Sequence, residues 1–165
     1  MVVAFGSKGM RITSEIANQL RQVHRGGNWT AVNLKDTLEA VRWQEATQSI
    51  ENGHSIAGLV FHMNYFVAAV LGVLRNGVLD ASDKLSFDCP PIVSEEQWQA
   101  LILKTLSDAD ELAGMIEGLP EAKLSETFAD EKYGSYLRNL QGVIEHCHYH
   151  LGQITMIRKL ARSLD

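Results

Sequence analysis

The stretch HSIAGLVFHMNYFVAAVLGVLR, residues 54–75, is almost continuously apolar and contains no proline. At about 3.6 residues per turn it is long enough for about six helical turns, and it predicts a helix that is buried on most of its surface. Because His62 and Asn64 interrupt the apolar run, the stretch favours a core helix of a globular protein over a membrane span. Asn76 and Gly77 are typical of the turn that ends such a helix.

Three further segments carry signals for long helices. Apolar residues recur at three- and four-residue spacing through 11–25, and a capping box opens the segment 94–118. A fourth helix is predicted over about 134–163. The connection between the first two helices, 28–53, contains Asn33, which can cap a short helix inside it.

Four long helices without any strand-like alternation predict an all-α fold, a four-helix bundle with a long connection between helices 1 and 2. We expect a single domain over residues 1–165, since the chain length and a hydrophobic content of 45% suit one globular core. The long connection leaves room for a crossover, so a simple up-and-down helix order does not follow from the sequence.

Composition and charge exclude several functional classes. The net charge of −5, without a basic stripe, argues against nucleic-acid binding. The two cysteines form neither a CxxC pair nor a disulfide framework, and the first residues lack the pattern of a signal peptide. We therefore expect a cytoplasmic protein that binds neither nucleic acid nor a membrane.

Three of the six histidines lie within EHCHYHLGQI, residues 145–154. Because a helix advances about 100° per residue, His146 and His150 lie about 40° apart, whereas His148 is rotated about 200° from His146. The apolar residues of the segment share the direction of the first pair. We therefore expect His146 and His150 to face the core and His148 to face away. On the second helix, His62 lies in the middle of an apolar stripe.

Three inward imidazoles predict a metal site. A lone buried histidine is more often a core residue whose nitrogens find hydrogen bonds, but burying three without partners would cost several kcal/mol. One divalent cation accepts all three lone pairs, and imidazole suits zinc, iron, nickel and copper. Three protein ligands leave coordination positions open, which is typical of catalytic sites.

Two other metal sites fit the sequence less well. A zincin-type protease needs a glutamate directly after the first histidine, where this chain has Cys147. A di-iron carboxylate bundle needs inward Glu-x-x-His pairs. The chain contains two such spacings, but Glu145 and His148 lie on the outer face and Asn52-Gly53 interrupts the other pair.

Neighbouring side chains are candidates for lining the site. Phe66 is predicted to form its apolar wall, and Tyr65, about 60° from His62 on the helix, could donate a hydrogen bond or simply pack. Asn139 could meet a substrate at the pocket mouth, or its amide could be satisfied by the preceding loop. Gln153 lies near the direction of His146 and could also line the site.

Three segments together resemble the DinB/YfiT-like superfamily of metal-dependent proteins: GGNWTAVNLKDTLEAV (26–41), SIAGLVFHMNYF (55–66) and HCHYHLGQI (146–154). The resemblance covers about residues 11–163. It implies a DinB-like four-helix bundle with an unusual helix order, in many members a homodimer. It also implies the metal ligands His62, His146 and His150, with nickel, zinc or iron as the ion.

Relatives with assigned chemistry include transferases and isomerases that use a low-molecular-weight thiol. The resemblance thus implies a metal-dependent enzyme that activates water or a small thiol, with hydrolase or thiol S-transferase chemistry. The alternative is a non-catalytic, dimeric metal- or ligand-binding bundle with a role in stress response.

Overall fold

The computed structural model describes residues 11–49 and 53–162. Within these ranges the chain is all-helical, and it contains two isolated β-bridges but no strand. Short 3-10 turns occupy Asp83–Leu85, Glu121–Ser125 and Glu131–Tyr133. The α-helices are α1 (Ile12–Arg25), α2 (Leu34–Leu38), α3 (Trp43–Thr47), α4 (Ile56–Asn76), α5 (Glu95–Gly118) and α6 (Tyr136–Arg162).

The four long helices pack in a closed ring around one hydrophobic core. α1 packs against α5, α5 against α4, α4 against α6, and α6 against α1. The prediction of an all-helical fold is therefore confirmed, and the long helices form a bundle. The first two long helices of the chain, α1 and α4, lie diagonally across this ring, so the connection between them has to cross the bundle.

That connection contains two short helices, of which the sequence predicted one. α2 packs against α1, α5 and α6, whereas α3 packs against α4 and α5. Trp98, at the start of α5, is fully buried beneath them and its indole N–H donates to the carbonyl of Val41 at 2.8 Å. The described part of the connection is therefore anchored to the core through α2, Val41 and α3.

Side-chain caps set several helix starts. The Asn33 side chain accepts the backbone N–H of Asp36 at 3.0 Å, as expected for the cap of α2. Ser94 caps α5 by accepting the N–H of Gln97 at 3.3 Å, and the Gln97 side chain accepts the N–H of Val93 at 2.8 Å. The reciprocal bond of the predicted capping box is thus made one residue earlier than in the usual pattern.

α4 is the central helix for the site. Of the helices described, it alone is long and apolar enough to cross a membrane by length and composition, but 67% of its most apolar window is buried against the rest of the protein. It packs on α5 and α6. Such burial is typical of the core helix of a globular protein, as the sequence predicts. The helix ends at Gly77, which adopts a left-handed conformation (φ +76°).

We expect the bundle to depend on the buried face of α5. Leu112→Ala removes a side chain that is 0% exposed and should lower the free energy of unfolding by about 2–5 kcal/mol. Leu103, on the same helix but 66% exposed, is the matched control, and Leu103→Ala should change the free energy of unfolding by less than about 0.5 kcal/mol. Urea unfolding measures both values. Equal losses would contradict the packing described here.

Candidate metal centre

α4 and α6 bring three imidazoles together at their shared face. The Nε2 atom of His146 lies 3.0 Å from Nε2 of His62 and 3.0 Å from Nε2 of His150. One ligand atom from each ring lies within 4.8 Å of the other two. His62 and His150 are buried and His146 is half-buried. The three histidines that the sequence singled out therefore lie close enough to bind one metal ion.

The spacing of these nitrogens fits a shared ion. Two imidazole nitrogens bound at about 2.0–2.1 Å lie about 3.3 Å apart at a tetrahedral angle and about 2.9 Å apart at a right angle. The observed 3.0 Å separations fall between these values. Two of the three separations therefore already suit the coordination of one cation by His62, His146 and His150, and all three ligand atoms lie within 4.8 Å of one another.

Hydrogen bonds on the far side of two rings orient their lone pairs. Nδ1–H of His62 donates to the carbonyl of Ser86 at 3.3 Å, and Nδ1–H of His150 donates to Oε1 of Gln153 at 2.6 Å. A neutral ring that carries its proton on Nδ1 has a bare lone pair on Nε2. Both rings therefore present unprotonated Nε2 atoms towards His146, in the tautomer that metal ligation requires.

His146 cannot satisfy both of those lone pairs. If its Nε2 carries a proton, that proton can be donated to one neighbour, and the other lone pair is left unpaired. If the proton is on Nδ1 instead, three lone pairs face one another. Nδ1 of His146 is itself buried without a partner among the residues described. A bound cation removes this conflict at Nε2, because it accepts all three lone pairs at once.

The environment keeps the three rings neutral. Burial, together with the neighbouring rings of His150 and His62, lowers the pKa of His146 to about 4. Burial is also the largest cause that lowers the pKa values of His62 and His150. Since a protonated imidazole cannot bind a metal, these shifts reduce competition from protons at neutral pH.

The loop between α4 and α5 covers one side of the site. The Phe87 ring stacks between His62 and His54, with centroid separations of 3.9 and 4.0 Å. The Tyr65 hydroxyl accepts the backbone N–H of Ser82 at 2.8 Å and so fixes the same loop. Tyr65 is predicted to line the pocket; its hydroxyl faces this loop, and the residue is not part of the lining of the cavity beside His146.

A cavity of about 340 Å³ opens on the other side of the site, next to His146. Phe66 lines it and contacts the rings of His62 and His146 edge-on, at centroid distances of 5.1 and 4.9 Å, which fits its predicted role as an apolar wall.

Asn139 also lines this cavity, as expected, but its amide N–H groups donate to the carbonyls of Tyr133 and Ser135. Both interpretations of Asn139 therefore describe part of its environment.

Gln153 has a more specific position than the sequence suggested. It binds Nδ1 of His150, so it orients a candidate ligand from behind, and it does not line the cavity. The sequence carried no signal for the corresponding partner of His62. Ser86 contributes a backbone carbonyl, which any residue at that position would supply.

The other candidate ligands in EHCHYHLGQI lie elsewhere. Cys147 is fully buried, and burial raises the pKa of its thiol to about 12, so it is a core residue.

Glu145 and His148 lie on the outer face, as predicted, where they line a cavity of about 910 Å³ between α1 and α6. That cavity is larger than the one beside His146 but contains none of the three clustered histidines. The fully exposed Trp29 lines it as well.

His24 illustrates the ordinary fate of a buried histidine. It is 0% exposed in α1, and its Nδ1 lies 2.9 Å from the carbonyl of Leu20. Desolvation lowers the pKa of this ring, which therefore stays neutral in the core. Among the residues that the structure describes, it belongs to no group of three or more potential metal ligands. Burial alone therefore does not distinguish the three clustered histidines; their convergence does.

Comparisons with known proteins give no neighbour for this arrangement: the chain matches no family model, no curated protein and no solved structure at a significant level.

We expect metal binding to follow the orientation of the histidines on α6. His146→Ala or His150→Ala removes a direct ligand and should weaken Zn²⁺ binding more than about 100-fold, since even the loss of a partner behind a ligand costs about 10- to 100-fold. His148→Ala, in the same stretch, is the matched control and should bind as the wild type does. Competition with a chromophoric chelator measures the Zn²⁺ affinity of all three variants. Equal losses in the three variants would contradict the geometry.

We also expect the metal-free protein to lose stability in mild acid. The unfolded chain's histidines bind protons near pH ~6.5, whereas His146 in the folded protein does so only near pH 4. Between these values the unfolded state binds more protons, so stability falls as the pH falls. Urea midpoints at about pH 7 and about pH 5, with a chelator present, measure the effect. The loss of stability between the two pH values should be smaller in His146→Gln. An identical loss in this variant would show that His146 is not its cause.

Proposed function

We propose that this chain is a metal-dependent enzyme with a DinB-like four-helix bundle, in which His62, His146 and His150 hold one divalent ion. Nickel, zinc and iron all suit three imidazole nitrogens, and the proposal covers these three metals. The observation that carries it is the convergence of three Nε2 atoms, with two 3.0 Å separations, on the facing sides of α4 and α6. The resemblance of the three segments to DinB/YfiT-like proteins supports the same ligand set.

The surroundings of the site support catalysis over a purely structural role. A structural zinc site has four protein ligands, whereas the cluster in the described residues offers three and borders a cavity of about 340 Å³. A metal ion in such a site supplies Lewis-acid activation of a bound water or thiol. The chain's own residues would position the substrate, with Phe66 providing the apolar wall beside the ion.

The lining of this cavity favours a thiol over water. Activating water for hydrolysis needs a group that takes up the proton, and carboxylates commonly have that role. None of the residues described in the lining of this cavity is Asp or Glu. A thiol needs less assistance, because a coordinating thiol is deprotonated by the ion itself. We therefore place thiol S-transferase chemistry ahead of hydrolase chemistry.

The proposal also includes the remaining expectations from the sequence. Both cysteines are free thiols, which fits a reducing compartment such as the cytoplasm. The homodimer is implied by the family resemblance, and sedimentation equilibrium would test it directly. The non-catalytic, ligand-binding bundle remains the alternative; it requires an ion whose coordination positions are closed to added ligands.

Elemental analysis of protein purified without an affinity tag, together with thiol titration, tests this function. We expect about one equivalent of nickel, zinc or iron per chain, and its loss in His62→Ala. In the Co²⁺-substituted protein, added 2-mercaptoethanol should produce a thiolate-to-cobalt charge-transfer band, because open positions accept the thiol.

His148→Ala is the control, and it should retain both the metal and the band. Stoichiometric metal without any response to thiols would favour the non-catalytic alternative. Absence of metal after reconstitution would contradict the proposal as a whole.

A further inference from the structure

The cavity beside His146 has an uneven distribution of charge. His146 lies at one end, and Phe66, Val70 and Val143 supply apolar surface. Lys132 and Arg138 are the charged residues in its described lining, and both are cationic. A chain with a net charge of −5 therefore has a positively charged cavity next to its candidate metal site.

Neither cation is neutralised by a carboxylate in the part of the chain that the structure describes. The Lys132 ammonium lies over the Tyr133 ring at 4.9 Å, and the Arg138 guanidinium donates to the carbonyl of Tyr133 at 3.3 Å. The nearby Asp130 carboxylate accepts the backbone N–H of Lys132, so it caps the short turn at Glu131–Tyr133.

Other arginines of the bundle behave differently. Arg21, Arg25 and Arg75 each form an ion pair with a carboxylate of α5. Arg138 also lies in the first turn of α6, where the helix dipole is positive and an arginine is electrostatically unfavourable. Its guanidinium therefore remains available to an anion from outside the chain.

The distance between the cations and the metal site limits the size of that anion. Arg138 and His146 are eight residues apart on α6, which corresponds to about 12 Å along the helix axis. Gly142 lies between them, and a Cβ atom at this position would meet nothing within 4 Å. The missing side chain leaves the middle of the cavity open, so an extended molecule can reach from one end to the other.

We infer that the cavity binds a small organic acid about 10 Å long, whose carboxylate lies on Arg138 and Lys132 while its other end reaches the metal at His146. This inference rests on the proposed function, because it takes the metal for the second end of the ligand. An arginine fork and an ammonium together match a carboxylate, and the apolar surface between them suits a hydrocarbon chain. In the thiol chemistry proposed above, the substrate is then a thiol that carries a distant carboxylate.

Two probes that differ only in charge test this inference in the Co²⁺-substituted protein. 8-Mercaptooctanoate and 8-mercapto-1-octanol have the same thiol and chain length, and the cobalt–thiolate band reports the binding of each. We expect the wild type to bind the acid at least about tenfold more tightly than the alcohol, because only the acid can form a charge-assisted hydrogen bond with these cations. The double variant Lys132→Gln/Arg138→Gln should lose this preference and bind the alcohol as before.

A charge-matched control separates local from global effects. Lys35→Gln/Lys159→Gln also removes two positive charges, from exposed positions outside this cavity, and should keep the preference for the acid. If the wild type shows no preference, or if the Lys132/Arg138 variant retains it, the inference is wrong. Equal loss of preference in both double variants would contradict it as well, because the effect would then come from net charge.

A steric variant tests the path between the two ends. Gly142→Leu should fill the middle of the cavity and weaken binding of both thiols about tenfold or more, while Co²⁺ stays stoichiometric. Gly114→Leu is the control. Gly114 is an exposed helical glycine of α5 that also has nothing within 4 Å of its Cβ position, so the variant should leave the dissociation constants of both thiols unchanged. If Gly142→Leu binds both thiols as the wild type does, the ligand does not pass through the middle of this cavity.

The results also separate this inference from the proposed function. A chain that takes up no Co²⁺ contradicts the metal site and, with it, the inference. Stoichiometric Co²⁺ without any preference for the acid contradicts the inference alone and leaves the metal site intact.

Discussion

Two unprotonated imidazole nitrogens point at a third one inside a helical bundle, and no arrangement of protons within the cluster satisfies all three. His62 and His150 are held in this state by the Ser86 carbonyl and the Gln153 side chain. The Nε2 of His146, 3.0 Å from both, can donate to only one of them. A cation resolves this constraint, and the neighbouring structure is consistent with it, since burial lowers the pKa of each ring.

The order of the helices allows this cluster to form. His62 lies on α4 and the other two histidines lie on α6, so these helices have to be neighbours in the ring. The diagonal placement of α1 and α4 leaves α4 free to contact both α5 and α6. The long connection with α2 and α3 makes this placement feasible, since a short turn could not join diagonal helices.

Periodicity and capping explain how much of this could be predicted from the sequence. The four long helices and the inward direction of His146 and His150 depend on residues within one helix, where 3.6-residue geometry relates position to direction. The cap at Asn33 is equally local. Contacts between a loop and a helix have no such periodic signature, which is why the stacking of Phe87 on His62 was not predicted.

The same limit applies to the surroundings of the pocket. Tyr65 was assigned from its angle on α4, but the angle does not show that the loop containing Ser82 would bind its hydroxyl. Lys132 and Arg138 were missed because one lies in a 3-10 turn and the other at a helix start, and only folding places both beside His146. Their charges become informative through this placement.

Anomalous X-ray diffraction from crystals of the Zn²⁺-loaded protein, collected at the zinc absorption edge, tests the central claim most directly. We expect one strong peak about 2.0–2.1 Å from the Nε2 atoms of His62, His146 and His150, with a further position open towards the cavity lined by Phe66. A peak at His148 or at a carboxylate cluster, with no density between the three rings, would contradict it.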